Sequence, residues 1–195
     1  MIDLHVHTTH SDGTYTPEDV VWYAKEKGLV AIAVTDHDCV SGVKKAQEVG
    51  NKIGVDIISG IEFSVNYETR LFHIVGLMID IENDLLNKAI TKQTQVRERF
   101  VERLFERLIA SGLKNISFEE YRAMGPPGSM GHFKQYCASA NIPTGMDEVE
   151  KHIGSDAIVY LFSLVKETLT AAMAIDAIRN AGGIAVWAHP FAHKL

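Results

Sequence analysis

Cysteine is scarce: Cys39 and Cys137 are the two in 195 residues, far apart and in no C-x-x-C spacing. That argues against a disulfide framework and against a thiolate metal site, and suits two reduced thiols in a cytosolic protein. Long apolar runs are missing, with none near the ~20 residues that cross a bilayer. The N-terminus carries His and Asp where a signal peptide needs an apolar segment. Basic runs are missing too. Lys and Arg number 19 against 25 Asp and Glu, a net charge of −6. Bulk electrostatics therefore give no reason to expect duplex DNA or a membrane surface as partner. The expectation is a soluble, cytoplasmic protein. Its 46% hydrophobic content is enough for one core with a small attached lobe.

Strands and helices alternate in the first 80 residues. Ile2–Thr8 reads as a strand. Thr16-Pro17-Glu18-Asp19 offers a cap, a proline at the first helical position and an acid three residues on, opening a helix that runs to about Gly28. Leu29–Val34 is a nearly continuous apolar run, as suits a strand buried on both faces. Ser41 is placed to cap a second helix ending near Gly54, and Val55–Ile61 is the next strand. Phe63–Asn66 and Leu71–Met78 read as a hairpin. This rhythm predicts an α/β fold with a parallel sheet and covering helices. The character changes at Asn83, where a Leu-, Glu-, Arg- and Lys-rich helix runs to Ser111. A Ser117-x-x-Glu120 box and a Gly-Pro-Pro-Gly loop follow. Residues 83–165 are expected to form an inserted helical lobe, with 1–82 and 166–195 as the α/β part.

Three histidines fall within the first ten residues. Residues two apart on a strand share a face, so His5 and His7 project together and can share a metal ion. Further polar residues fall at matching places. Asp36, His37 and Asp38 follow the second strand, Glu62 ends the third, His73 lies in the hairpin and His189 ends the last strand. In α/β architectures sites gather at the carboxyl ends of strands. Each residue alone has a plainer reading. His73 suits a core histidine, Glu62 a surface carboxylate, Asp12 the turn of Ser-Asp-Gly, Asp36 a helix cap and His189 a turn before proline. The repetition at strand ends carries the stronger reading. Imidazole and carboxylate without thiolate suit Zn, Mn or Fe, and the donors are too many for one tetrahedral ion. Two or three ions sharing a carboxylate are expected, an arrangement suited to phosphate-ester hydrolysis.

The pieces DLHVHT, SDGT, AVTDHD, GIEFS, FHIVG and AVWAHP, in that order, resemble the PHP (polymerase and histidinol phosphatase) superfamily of metal-dependent phosphoesterases. The resemblance implies a distorted (β/α)7 barrel. It implies His5, His7 and Glu62 on one ion, Glu62 bridging to a second held by His73 and His189, and Asp12 and His37 on a third. Asp36 would orient a ligand, and Asp36 and His189 are the residues expected to act in catalysis. The lobe is similar to that of the 3′,5′-nucleotide bisphosphate phosphatase and short-RNA exonuclease branch. There His132 would contact substrate, though Met130 stands where that branch has an arginine.

The superfamily's last Asp-x-His pair has no counterpart before Leu195. The barrel is therefore expected to be incomplete at the C-terminus, as part of a longer protein, by closure from a partner chain, or in a degenerate relative. Without the pair the first ion keeps three protein ligands and the third two. The expected activity is metal-assisted hydrolysis of a phosphomonoester, on a small nucleotide such as a 3′,5′-bisphosphonucleotide, with a short oligonucleotide also a candidate partner. A non-catalytic or partner-dependent metal-binding remnant, or a histidinol-phosphate phosphatase, is the alternative. The oligomeric state is left open. His10 and His152 read as exposed residues, His193 as a substitute ligand only by position. Lys92 and the arginines of the lobe helix alternate with Glu98, Glu102 and Glu106, as on a salt-bridged exposed face.

Overall fold

The computed structural model describes residues 1–67, 70–124, 130–139 and 167–190. The chain divides into two compact units, Met1–Gln93 with Leu169–Leu195, and Thr94–Thr168.

The first unit is an α/β half-barrel on an open, mixed sheet. β1 (Ile2–Val6), β2 (Ala31–Val34) and β3 (Asp56–Tyr67) run parallel. β4 (Arg70–Leu77) returns antiparallel to β3, and the last strand, β6 (Ile184–Trp187), is antiparallel to β4. The two-residue β5 (Leu169–Thr170) pairs with β3 off this path. The sheet is thus parallel only in its first half. The expected hairpin is present, but its first arm and the preceding strand are one continuous strand.

Local chemistry sets the helices. Thr16 caps α1 (Pro17–Glu26), its hydroxyl oxygen accepting the Asp19 N–H at 3.1 Å. α2 (Val43–Ile53) starts at Gly42 with no side-chain cap and ends on Gly54 in the left-handed region. Val20, Val21 and Ala24 of α1 and Val43 and Ala46 of α2 bury Ile32 and Val34 of β2. All four residues of β2 are buried, as its unbroken apolar run predicts. A second core joins Ile61, Phe63 and Val65 of β3 to Phe72 and Ile74 of β4 and to Ala174, Ala177 and Ile178 of the helix before β6 (Ala171–Asn180).

α3 (Asp84–Ala110) begins where Asn83 Oδ1 accepts the Leu85 and Leu86 N–H groups. The division between units falls inside this helix rather than before it. Leu86 lies in the core of the first unit. Gln93, 0% exposed, donates from its amide to Ser64 O and accepts the Leu169 N–H at 3.0 Å, which ties the helix to β3 and β5. The second unit packs Val101, Leu104, Phe105 and Leu108 of α3 against Tyr121 of α4 (Phe118–Ala123) and Phe133 and Tyr136 of α5 (Met130–Ser139). Arg103 pairs with Glu106 within α3, but Arg99 reaches Glu167 and Glu98 reaches Arg122. Ser117 accepts the Glu120 N–H as a cap, while the Glu120 carboxylate accepts from Tyr136 instead of closing a reciprocal box. Among the described residues no helix is long and apolar enough to cross a membrane.

Candidate metal centre

Alternation along β3 builds the site. Ile61, Phe63 and Val65 turn into the core at 0% exposure, so Glu62 and Ser64 turn to the opposite face. Glu62 therefore lies mid-strand, not at a strand end. Its carboxylate is 1% exposed and five imidazoles surround it. His5 Nε2 and His7 Nε2 lie 3.0 and 3.1 Å from Oε2, with His37 Nδ1 at 3.4 Å. His189 Nε2 and His73 Nδ1 lie 3.0 and 3.4 Å from Oε1.

Each ring is placed by its own strand. The β1–β2 register slips between Asp3 and Val6, a bulge that re-aims the end of β1. There the Asp3 carboxylate accepts the His5 N–H at 3.1 Å. His37 follows β2 and bridges to Glu62, whose N–H donates to Asp36 O and whose carbonyl accepts the Asp38 N–H. His73 stands opposite Ser64 across the β3–β4 pair, on the Glu62 face, so it belongs to this cluster and not to the apolar core. The Ala188 N–H donates to His73 O at 3.0 Å, which brings His189 Nε2 to 3.1 Å from His73 Nδ1. His189 holds φ 32°, a conformation that costs a non-glycine residue about 1 kcal/mol and recurs at functional sites.

Asp12 meets His7 Nδ1 at 3.2 Å and His37 Nε2 at 3.7 Å. Asp36 sits one step behind. Its buried carboxylate accepts from Thr8 N–H and Thr8 hydroxyl, both at 2.7 Å, and from Ser11 hydroxyl at 2.6 Å. Ser11 Oγ in turn lies 3.3 Å from His7 Nδ1, so Asp36 holds a ligand through Ser11. Sequence reasoning passed over Asp3, Thr8 and Ser11; the signal for the last two is the run of hydroxyls at Thr8, Thr9 and Ser11 around His10. His10 is half-buried rather than a free loop residue. Its N–H donates to Thr8 Oγ1 and its Nδ1 lies 2.5 Å from Ser41 Oγ. Ser41 is thereby engaged with His10 and with Cys39, 3.0 Å away, and does not cap α2. His132 lies in α5 with its side chain outside the described residues, as are His152 and His193 entirely.

The charges are strongly coupled. Burial pushes the Glu62 carboxyl up, but hydrogen bonds from His5, His7 and His73 and the His37 charge override it, holding it well below the usual carboxylate range. Burial pulls His7 down, and Asp12 and Glu62 outweigh it, raising its pKa to about 9. The hydrogen bond to His7, against burial and with the His37 charge, lowers Asp12 to about 2.

Donor atoms lie within 4.8 Å of one another in three overlapping groups: His5, His7 and Glu62; His7, Asp12 and His37; His37, Glu62 and His73. Ligands about 2.1 Å from one ion sit roughly 3–3.5 Å apart, which is the range of the nitrogen–oxygen separations around Glu62. Each close pair requires a proton or a cation between its atoms, and a divalent ion satisfies several at once. The residues fit such ions, and the all nitrogen-and-oxygen set suits Zn, Mn or Fe.

The PHP domain family model matches residues 3–159. The 5′-3′ exoribonuclease Rnm of Escherichia coli K12 is 33% identical over 99% of this chain and 66% of its own length. A 3′,5′-nucleoside bisphosphate phosphatase of Chromobacterium violaceum is 28% identical over 97% of this chain and 66% of its own. This chain thus spans about two thirds of the length of these curated relatives. Two solved structures superpose closely. An amidohydrolase from Chromobacterium violaceum with bound sulfate and no metal gives a TM-score of 0.80 at 26% identity, covering 100% of this chain and 68% of that one. A putative metal-dependent phosphoesterase from Bifidobacterium adolescentis gives 0.77 at 26% identity, covering 96% and 66%. Three of these four names describe hydrolysis of phosphate esters and the fourth an amidohydrolase, so hydrolysis is what all four share; the chain belongs to the PHP domain family.

Proposed function

We propose that this chain is a metal-dependent phosphoesterase that removes a phosphoryl group from a small nucleotide, such as a 3′,5′-bisphosphonucleotide. One observation carries the reading: five imidazoles gather around the buried carboxylate of Glu62, and Asp12 meets two of them, His7 and His37. His5, His7 and Glu62 would hold one ion, Glu62, His73 and His189 a second, and Asp12 and His37 a third. Bound there, such ions acidify water and neutralise charge on a phosphate. The chain's own residues set the approach. Glu62 and His37 form the floor, with side chains 1% and 15% exposed, while His5, Asp12 and His189 form the rim at 32%, 36% and 38%. A phosphoryl group therefore arrives over the rim that His5, Asp12 and His189 form. Asp36, through Ser11, and Asp12 directly hold His7 with Nδ1 turned to them and Nε2 turned to Glu62, which fixes the ring for its role. The exoribonuclease name of the Escherichia coli relative supports a second substrate class, short RNA with a 5′ end.

The test is metal content by elemental analysis beside hydrolysis of a 3′,5′-bisphosphonucleotide and of a short 5′-phosphorylated oligoribonucleotide with added Mn²⁺. We expect about two ions per chain or more, and turnover of the bisphosphonucleotide. Glu62→Gln should lower the ion count and cut turnover about a thousandfold. Turnover of the oligonucleotide alone would move the substrate to RNA. Folded protein that binds no ion and hydrolyses neither would leave a non-catalytic remnant.

A further inference from the structure

A second surface lies on α1 and the residues just before it, three positions after Asp12 in the chain. Tyr15, Trp22 and Tyr23 are 47%, 58% and 42% exposed, three large aromatic rings in water within one short stretch. The Tyr15 and Tyr23 rings stack, with centroids 5.3 Å apart and planes at 17°. Lys27 Nζ lies 4.9 Å from the Tyr23 centroid. With Asp19, Lys25 and Glu26 the three aromatics wall a shallow hollow of about 660 Å³. Nothing in the core requires this arrangement, because α1 packs through Val20, Val21 and Ala24.

Two facts tie the surface to the site. The Thr9 N–H donates to Tyr15 O at 2.8 Å, which closes the loop carrying Asp12. Asp12 and Tyr15 are three residues apart, and three residues of chain reach at most ~11 Å. The rim charges cancel, Asp19 and Glu26 against Lys25 and Lys27. Such a rim does not select an anion, whereas flat rings with a neutral surround suit a flat, uncharged heteroaromatic ring. Tyr23 already carries Tyr15 and Lys27, so Tyr15 is the ring with a face to offer.

We propose that the Tyr15–Tyr23 pair is a stacking platform for the nucleobase next to the reacting phosphate. This rests on the phosphoesterase reading above and deepens it: the base, not only the phosphate, is recognised. Stacking tolerates any base, so the platform favours nucleotides over other phosphate esters without choosing among them.

The test pairs two substrates with the same phosphates, the 3′,5′-bisphosphate of 2-aminopurine riboside and a base-free deoxyribose 3,5-bisphosphate. Wild-type protein should quench 2-aminopurine fluorescence on binding and should show the higher kcat/KM on the base-bearing compound. Tyr15→Ala and Tyr23→Ala should lose the quench and cut that preference about tenfold. Tyr15→Phe and Tyr23→Phe, which keep the rings, should retain both. A preference unchanged in the alanine variants overturns the platform. So does an equal loss on both substrates, which marks a structural role, and so does hydrolysis by wild type without quenching. Quenching that depends on the two rings, with neither compound hydrolysed, would instead sink the phosphoesterase reading and leave the platform standing.

Discussion

Gly13 decides where His7 can stand. A Cβ built there would overlap the His7 carbonyl and lie 2.7 Å from Thr8 N, all backbone that cannot swing aside. Gly13→Ala should therefore weaken metal binding about tenfold or more, through a displaced ligand, while Tm falls only a few degrees; calorimetric metal titration beside a thermal melt checks it. Protons compete for the same ligand. In chelator-stripped protein His7 titrates near 9 against an ordinary 6.5, so its contribution to stability is complete below 6.5 and lost as pH rises toward 9. Asp12, lowered from 3.8 to about 2, contributes above 3.8 and loses its part as pH falls toward 2. Stability of the metal-free chain should plateau between these limits. Metal affinity should climb from pH 6.5 to 9 as ions displace the His7 proton, which pH-dependent titration reads directly. Much of this was legible: His-x-His, Thr-Asp-His-Asp and the late His-Pro recur at the ends of short apolar runs, in a sequence with only two cysteines. Glu62 was found but misplaced, because Ile-Glu-Phe-Ser-Val reads equally as a strand end or as one strand facing a core and a site. The Asp36 network was not legible, since Thr and Ser hydroxyls carry no periodic signal and meet Asp36 from 25 and 28 residues away.

Among the elements, α3 shows how a helix can serve two bodies. Its apolar pattern lapses over residues 91–95, Thr-Lys-Gln-Thr-Gln, at the division, and there the tie is a side-chain amide reading backbone of β3 and β5. Gln93→Ala strands a buried carbonyl and a buried N–H. It should lower unfolding free energy by about 2–4 kcal/mol, measured by urea denaturation, and a loss below about 0.5 kcal/mol would show that water replaces the amide. Strand direction was only half legible. The β3–β4 hairpin follows from two short apolar runs with a turn between them. The antiparallel docking of β6 on β4 depends on a connection through a whole second unit, whose path no local pattern records.

At the scale of the molecule, the sheet of the described residues ends in two edges, β1 and β6. Both show apolar side chains to water, Ile2 and Leu4 on one, Ile184, Val186 and Trp187 on the other. Val186 and Trp187 also line an almost wholly apolar hollow of about 280 Å³ with Phe72 and Ile74. Open apolar edges pair with other chains unless they are blunted. This chain should therefore self-associate with rising concentration, and Val186→Lys should reduce that; sedimentation velocity decides it, a monomer at all concentrations being the contrary result.

The spread of the site along the chain has its own consequence. Glu62 and His189 meet across 127 residues, and His73 and His189 across 116. During synthesis the first strands and helices can leave the ribosome and fold while the last imidazole is still unmade. A nascent chain therefore holds a partly assembled cluster, open on the side that His189 later fills, and any ion captured then is held by fewer ligands. Completion of the five-imidazole cluster is tied to the arrival of β6, so an ion held by the full set reports that β6 has docked.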